Sequence, residues 1–181
     1  IGDRYRALLP HVGHRSDLNY LLGEMIAELS AGHCYIQGGD YETPDRPRVG
    51  LPGARFELDA NSGRYRIAKI LVGENEEAKY RSPLTELGVD ISVGEYVLAI
   101  DGDELRGSDN PYRLLRHKSQ LVTLTVNAQP SFQGAREVAY QPITSEQSLL
   151  YLDWVRGNRE RVAKATNGRV GYLHIPDMGA G

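Results

Sequence analysis

Apolar residues fall at Leu18, Leu21, Leu22, Met25, Ile26 and Leu29, three or four apart, with mostly polar positions between them. That spacing predicts a helix from Ser16, capped by Ser16 or Asp17 and ended by Gly32. Upstream, Tyr5 to Leu9 reads as the tail of another helix broken by Pro10, and downstream Cys34 to Gln37 reads as a short strand entering a turn at Gly38-Gly39. The period then changes. Ala54–Asp59 and Tyr65–Val72 alternate as half-buried strands, joined by the hairpin signal Asn61-Ser-Gly63. Glu95–Ile100 is a third strand, running into a tight turn at Asp101-Gly102. A short helix over 110–115 is capped by Asn110, with Pro111 where its missing N–H costs nothing. Gln120–Val126 and Glu137–Tyr140 complete the strand-rich unit. Thr144-Ser-Glu-Gln147 has the form of a capping box, opening a long helix to about Ala165 that Asn167-Gly168 stops. Val170–Ile175 begins another strand, and one strand cannot make a sheet by itself.

These elements divide the chain into a helical segment over 1–40, a linker over 41–52, a strand-rich domain over 53–143, and the start of a third unit over 144–181. The linker is expected from the Gly, Pro and charge density of "GGDYETPDRPRVGLP". The fold class is α+β, with the third unit reading as the first helix and strand of a truncated α/β domain.

Composition narrows the function classes. The 181 residues are 40% hydrophobic and 25% charged, with a net charge of −3, so nothing suggests a nucleic-acid surface. No apolar run approaches the roughly 18 residues of a membrane span. A single cysteine excludes an intrachain disulfide framework and leaves both a cytoplasmic and a periplasmic location open. No phosphate loop or dinucleotide fingerprint occurs, and no cofactor is implied.

The candidate chemistry centres on "AGHCYIQGGD", where His33 adjoins Cys34, the only cysteine. His33 can be half of a Cys–His pair, a metal ligand or a packed structural residue. Neighbouring side chains on a strand point to opposite faces, which argues against the Cys–His pair and makes Cys34 a small buried apolar residue. His11-x-x-His14 has metal-like spacing, yet it lies in a Pro/Gly loop without a partnering cysteine or acidic cluster, so no metal is expected. His174, in the strand "YLHIP", reads as structural. The acidic run Glu74 to Glu77 reads as a solvated loop, and Leu149, Leu150, Leu152 and Trp154 read as core or interdomain packing.

The stretch from Gly88 to Gly102, "GVDISVGEYVLAIDG", resembles the centre of a bacterial-type PDZ domain. Gly50-Leu-Pro-Gly-Ala54 is similar to that fold's carboxylate-binding loop, although Pro52 removes one N–H from it. The resemblance implies a PDZ-like, partly open β-barrel with short helices, and a peptide site at Leu51, Gly53, Ala54, Arg55 and Phe56. The physics suits the role, because a Gly-rich turn can aim backbone N–H groups at a carboxylate while the next strand's edge accepts an added strand.

The flanking segments "GEMIAELSAGH" and "GRVGYLHIPDMG" resemble tricorn-type serine proteases, relatives of the C-terminal processing peptidases. Nearly the whole chain follows that family's order: end of a helical domain, PDZ domain, start of the catalytic α/β domain. The resemblance implies peptide or protein substrates, His33 as the general base, and a serine nucleophile beyond Gly181. It allows a homo-oligomer of the full-length protein, and it involves neither nucleic acid nor membrane. Residues 1–181 alone are then expected to be inactive, since none of their serines sits in a nucleophile elbow. Where the family commonly has a serine just before the histidine, able to orient its imidazole, this chain has Gly32. The alternative is a standalone PDZ-like peptide-binding or scaffold module without catalysis.

Overall fold

The computed structural model describes residues 1–40, 44 and 46–177, and these form two compact units, Ile1–Arg46 and Pro47–Gly181. Tyr41 to Thr43 and Asp45 of the expected linker lie outside the described residues, as do Met178 to Gly181.

In the first unit, helix α1 spans Gly2–Arg6 and helix α2 spans Arg15–Ala27. The apolar stripe of α2 is only half-buried, and Leu29 lies past its end and is 61% exposed. The cap is neither Ser16 nor Asp17. His14 takes that place: the Asp17 N–H donates to its Nδ1 at 3.4 Å, while the Asp17 carboxylate accepts from the backbone N–H groups of Gly13 and His14. The cap and its partner thereby satisfy backbone donors on both sides of the start of α2. The short strand expected over Cys34–Gln37 is absent, because among the described residues no neighbouring strand pairs with it.

The second unit is mixed α+β around an open antiparallel sheet. Its strands are β1 Ala54–Asp59, β2 Arg64–Ile70, β3 Tyr96–Ile100, β4 Asp103–Glu104, β5 Val122–Asn127 and β6 Arg136–Tyr140. Their order is β1-β2-β3-β5-β6, with β4 paired to β3. The local turns follow the chemistry of their residues. Gly63, at φ +66°, closes the β1–β2 hairpin with its N–H on the Asp59 carbonyl at 2.8 Å. Asp101 and Gly102, both at positive φ, form the two-residue turn into β4. Helix α3, Pro111–Leu114, is capped by Asn110, whose side chain accepts from the Tyr112 N–H at 3.0 Å. The core gathers Val97 and Ile100 of β3 with Val122, Leu124 and Val126 of β5, closed by Ile67, Leu105, Leu115 and Tyr140. Burial pushes the Tyr140 hydroxyl far above its ordinary pKa, so it stays protonated and lies within 3.4 Å of the Gly50 carbonyl.

The rim is fixed by charge pairs, and the most enclosed carboxylate among them after that of Glu146 is Glu95. Arg136 grips it bidentately at 2.5 and 2.9 Å, and the Ser92 N–H adds a bond at 2.8 Å. The Arg136 hydrogen bonds hold the Glu95 carboxyl below its usual pKa, against the opposing effect of burial. A depressed carboxylate pKa contributes stability that is present above the unfolded value of about 4.3 and is lost as pH falls through the lower folded value. Glu95→Gln is therefore expected to lower stability by about 1 kcal/mol near neutral pH, a figure discounted for the solvent-exposed Arg136 side chain. The gap from wild type should close as pH falls through the lowered folded value, in parallel thermal melts. An unchanged gap at the acid end would remove this pair from the account.

Helix α4, Gln147–Thr166, packs on the same unit and ends at Asn167 and Gly168, both left-handed. Leu149, its one fully buried side chain, lies where two glycines lack a Cβ. A Cβ on Gly53 would stand 3.2 Å from one Leu149 methyl, and a Cβ on Gly73 would stand 2.9 Å from the other. Burying a leucine this completely stabilises by roughly 2–3 kcal/mol. Further along, Lys69 pairs with Asp153 at 2.7 Å, and Arg156 donates to the Val72 carbonyl and to Glu74. The acidic loop is thus used in part to hold α4. Leu150 and Trp154 are 43% and 53% exposed, so those two expected packing residues stay largely at the surface among the described residues. The strand expected over 170–175 is absent for the same reason as the first, the want of a pairing partner among the described residues.

Candidate functional site

His33 lies just past the end of α2, exposed, with its backbone at φ +62°. A side-chain-bearing residue in that left-handed region costs of order 1 kcal/mol, and such outliers concentrate at functional positions. No hydrogen bond or ion pair among the described residues engages its imidazole, so either ring nitrogen is open to an incoming proton donor. A Cβ on Gly32 would meet nothing within 4 Å, so crowding does not account for the glycine there.

Cys34 departs from its expected place. It is exposed, because the strand that was to bury it does not form, and its thiol turns back to the Gly32 carbonyl at 3.8 Å. His14 of the His11-x-x-His14 spacing is occupied as the cap of α2, with Ser16 Oγ 2.7 Å from its Nδ1. His174 sits edge-on to Tyr151 and Trp154 at ring distances of 5.4 and 5.0 Å, and its Nε2 is buried without a partner among the described residues.

In the second unit, the Gly50–Ala54 loop does not present a row of free donors. Gly50 N–H donates to the Leu115 carbonyl at 2.9 Å, Leu51 N–H to the Ile143 carbonyl at 2.8 Å, and Pro52 has none. Gly53, at φ +73°, aims its N–H at the Glu146 carboxylate, 3.0 Å away. Arg55 donates to the other oxygen of that carboxylate at 2.5 Å. Burial works against the Arg55 charge, yet the hydrogen bond and charge of Glu146, with a smaller contribution from Tyr112, leave its pKa raised. A register slip between Arg55 and Phe56 leaves Ala68 without a partner on β1. Phe56 meets Tyr112 of α3 at a ring distance of 6.2 Å. Thus three of the five expected peptide-site residues, Ala54, Arg55 and Phe56, open edge strand β1 beside α3, and Leu51 and Gly53 precede them in the loop.

Glu146 is the residue that sequence reasoning missed. The capping-box pattern contains it, and it does stand at the N-cap of α4, but its side chain makes no capping bond. The carboxylate reaches a loop 93 residues away in sequence, a pairing for which no local pattern exists.

The chain matches the tricorn protease PDZ domain over residues 50–145 and the tricorn protease C1 domain over residues 1–27. A tricorn protease homolog of Saccharolobus solfataricus is 37% identical over 175 residues, which cover 97% of this chain and 16% of that protein. The tricorn protease of Thermoplasma acidophilum is 31% identical over 179 residues, covering 99% of this chain and 16% of the relative. A crystal structure of the tricorn protease superposes with a TM-score of 0.80 at 30% identity, over 99% of this chain and 17% of that one. The chain therefore spans about a sixth of the length of these relatives. With a family match across more than half its residues, in the order the fold displays, this chain belongs to the tricorn protease family and contains its PDZ domain.

Proposed function

We propose that this chain is part of a serine-type peptidase that hydrolyses peptides, with His33 as the general base and the nucleophilic serine beyond Gly181. The observation that carries the reading is His33 itself: an exposed imidazole with no partner among the described residues, on a left-handed backbone, at the end of the segment "GEMIAELSAGH". A general base needs a nitrogen free to take a proton and a nucleophile within about 3 Å. Residues 1–181 alone then hydrolyse no peptide. Of the residues Leu51, Gly53, Ala54, Arg55 and Phe56, Gly53 and Arg55 hold the Glu146 carboxylate, and the role of this element is domain positioning, since α4 docks there.

A fluorophosphonate probe, which bonds covalently to activated serines, tests the serine assignment on the full-length protein. Labelling of one serine is expected in wild type, with loss of the label when His33 is replaced. Absence of label in an active wild-type preparation would rule out the serine mechanism. Labelling undiminished without His33 would remove the histidine from it.

A further inference from the structure

We propose that Gly53 and Arg55 form a carboxylate-binding site whose resident ligand is the chain's own Glu146, so that a peptide C-terminus enters only by displacing that carboxylate. The donors present are those a terminal carboxylate requires: one backbone N–H from a Gly-rich loop and one guanidinium. Both oxygens of Glu146 are taken, at 3.0 Å from Gly53 and 2.5 Å from Arg55, and the residue is only 8% exposed.

The approach of the chain to the loop is peptide-like as well. Leu51 and Ile143 exchange backbone hydrogen bonds at 2.8 and 3.0 Å, so the segment leading to Glu146 runs antiparallel beside the loop before delivering its carboxylate. Glu146 also forgoes a local role. At the N-cap of a 20-residue helix its side chain satisfies none of that helix's first N–H groups. Its partners are all in the loop and the first residues of β1. Leu149, the third residue of α4, fills the buried space beside Gly53 together with Pro83, so the interior next to the carboxylate is apolar. The chain thus supplies from within both the carboxylate and the apolar filling beside it. The proposal concerns binding alone and stands or falls independently of the role of His33.

The test uses calorimetry on the protein with an N-acetylated tripeptide ending in valine, as the free acid and as the C-terminal amide. Serine is a favourable N-cap, so Glu146→Ser keeps the start of α4 while removing the carboxylate. Wild type is expected to bind acid and amide alike, within about twofold. Glu146→Ser is expected to bind the acid at least about tenfold more tightly than the amide, the contribution of one charge-assisted pair. A wild-type preference of that size would show the site already open, and an equal response in Glu146→Ser would show that it is no carboxylate site. Either result overturns the proposal. Should Glu146→Ser fail to fold, Glu146→Gln keeps the shape and loses the charge facing Arg55. Its affinity for the acid should then rise at least about threefold over wild type, and no rise would overturn the proposal.

Discussion

Replacing His33 with asparagine in the full-length protein is expected to reduce peptide turnover by about 10⁴-fold or more, with the melting temperature unchanged. Asparagine is the appropriate replacement because the backbone at this position is left-handed, at φ +62°. Asparagine tolerates that region better than alanine does, so the exchange removes the imidazole with little added strain. The side chain is exposed and bonds to nothing among the described residues, so its loss withdraws no packing or hydrogen bond. A structural histidine would behave in the opposite way, lowering stability and sparing turnover. Steady-state hydrolysis measured beside thermal melts separates the two, and turnover within tenfold of wild type at an unchanged melting temperature would refute the general-base role.

The second large effect is on stability, at Gly73. A Cβ there would run into the backbone carbonyl of Tyr80, and would also stand 2.9 Å from a Leu149 methyl and 3.0 Å from the Ser82 Cβ. None of these neighbours can retreat cheaply. The Tyr80 carbonyl accepts the Glu74 N–H at 2.9 Å, and Ser82 is fully buried, with its hydroxyl on the Leu71 carbonyl and its N–H on Asn75. Gly73→Ala should therefore cost about 3 kcal/mol, at the upper end of overpacking effects, and lower the melting temperature by roughly 10 °C. Gly157→Ala provides the contrast within the same unit. It lies inside α4 with nothing within 4 Å of the added methyl, and should stabilise by about 0.5–1 kcal/mol. Equal melting temperatures for the two variants would contradict the close packing around Leu149.

Local chemistry made much of the fold legible. Asn61-Ser-Gly63, Asp101-Gly102 and Asn110-Pro111 each act within four residues, and each forms the turn or cap its side chains dictate. The same holds for Asn167-Gly168 at the end of α4. What failed to be legible depends on partners distant in the chain. The apolar runs at 34–37 and 170–175 have strand composition, yet a strand exists only where another pairs with it, and among the described residues none does. Cys34 followed its missing strand to the surface. Capping was misjudged twice for a related reason. His14 serves α2 although histidine is not a favoured cap, and Glu146 stands at the right place for α4 but is drawn to Arg55 and Gly53. The role proposed for His33 rests on the likeness of its surrounding segment, since composition and spacing leave that role open.

The seating of Leu149 between Gly53 and Gly73 bears on how this protein should be cut for laboratory work. The family's PDZ match ends at residue 145, one residue before Glu146 and four before Leu149. An expression boundary placed there would strip the carboxylate from Arg55 and leave a leucine-sized void beside two glycines. A soluble PDZ preparation should instead carry the chain through Thr166, treating α4 as the domain's own last element.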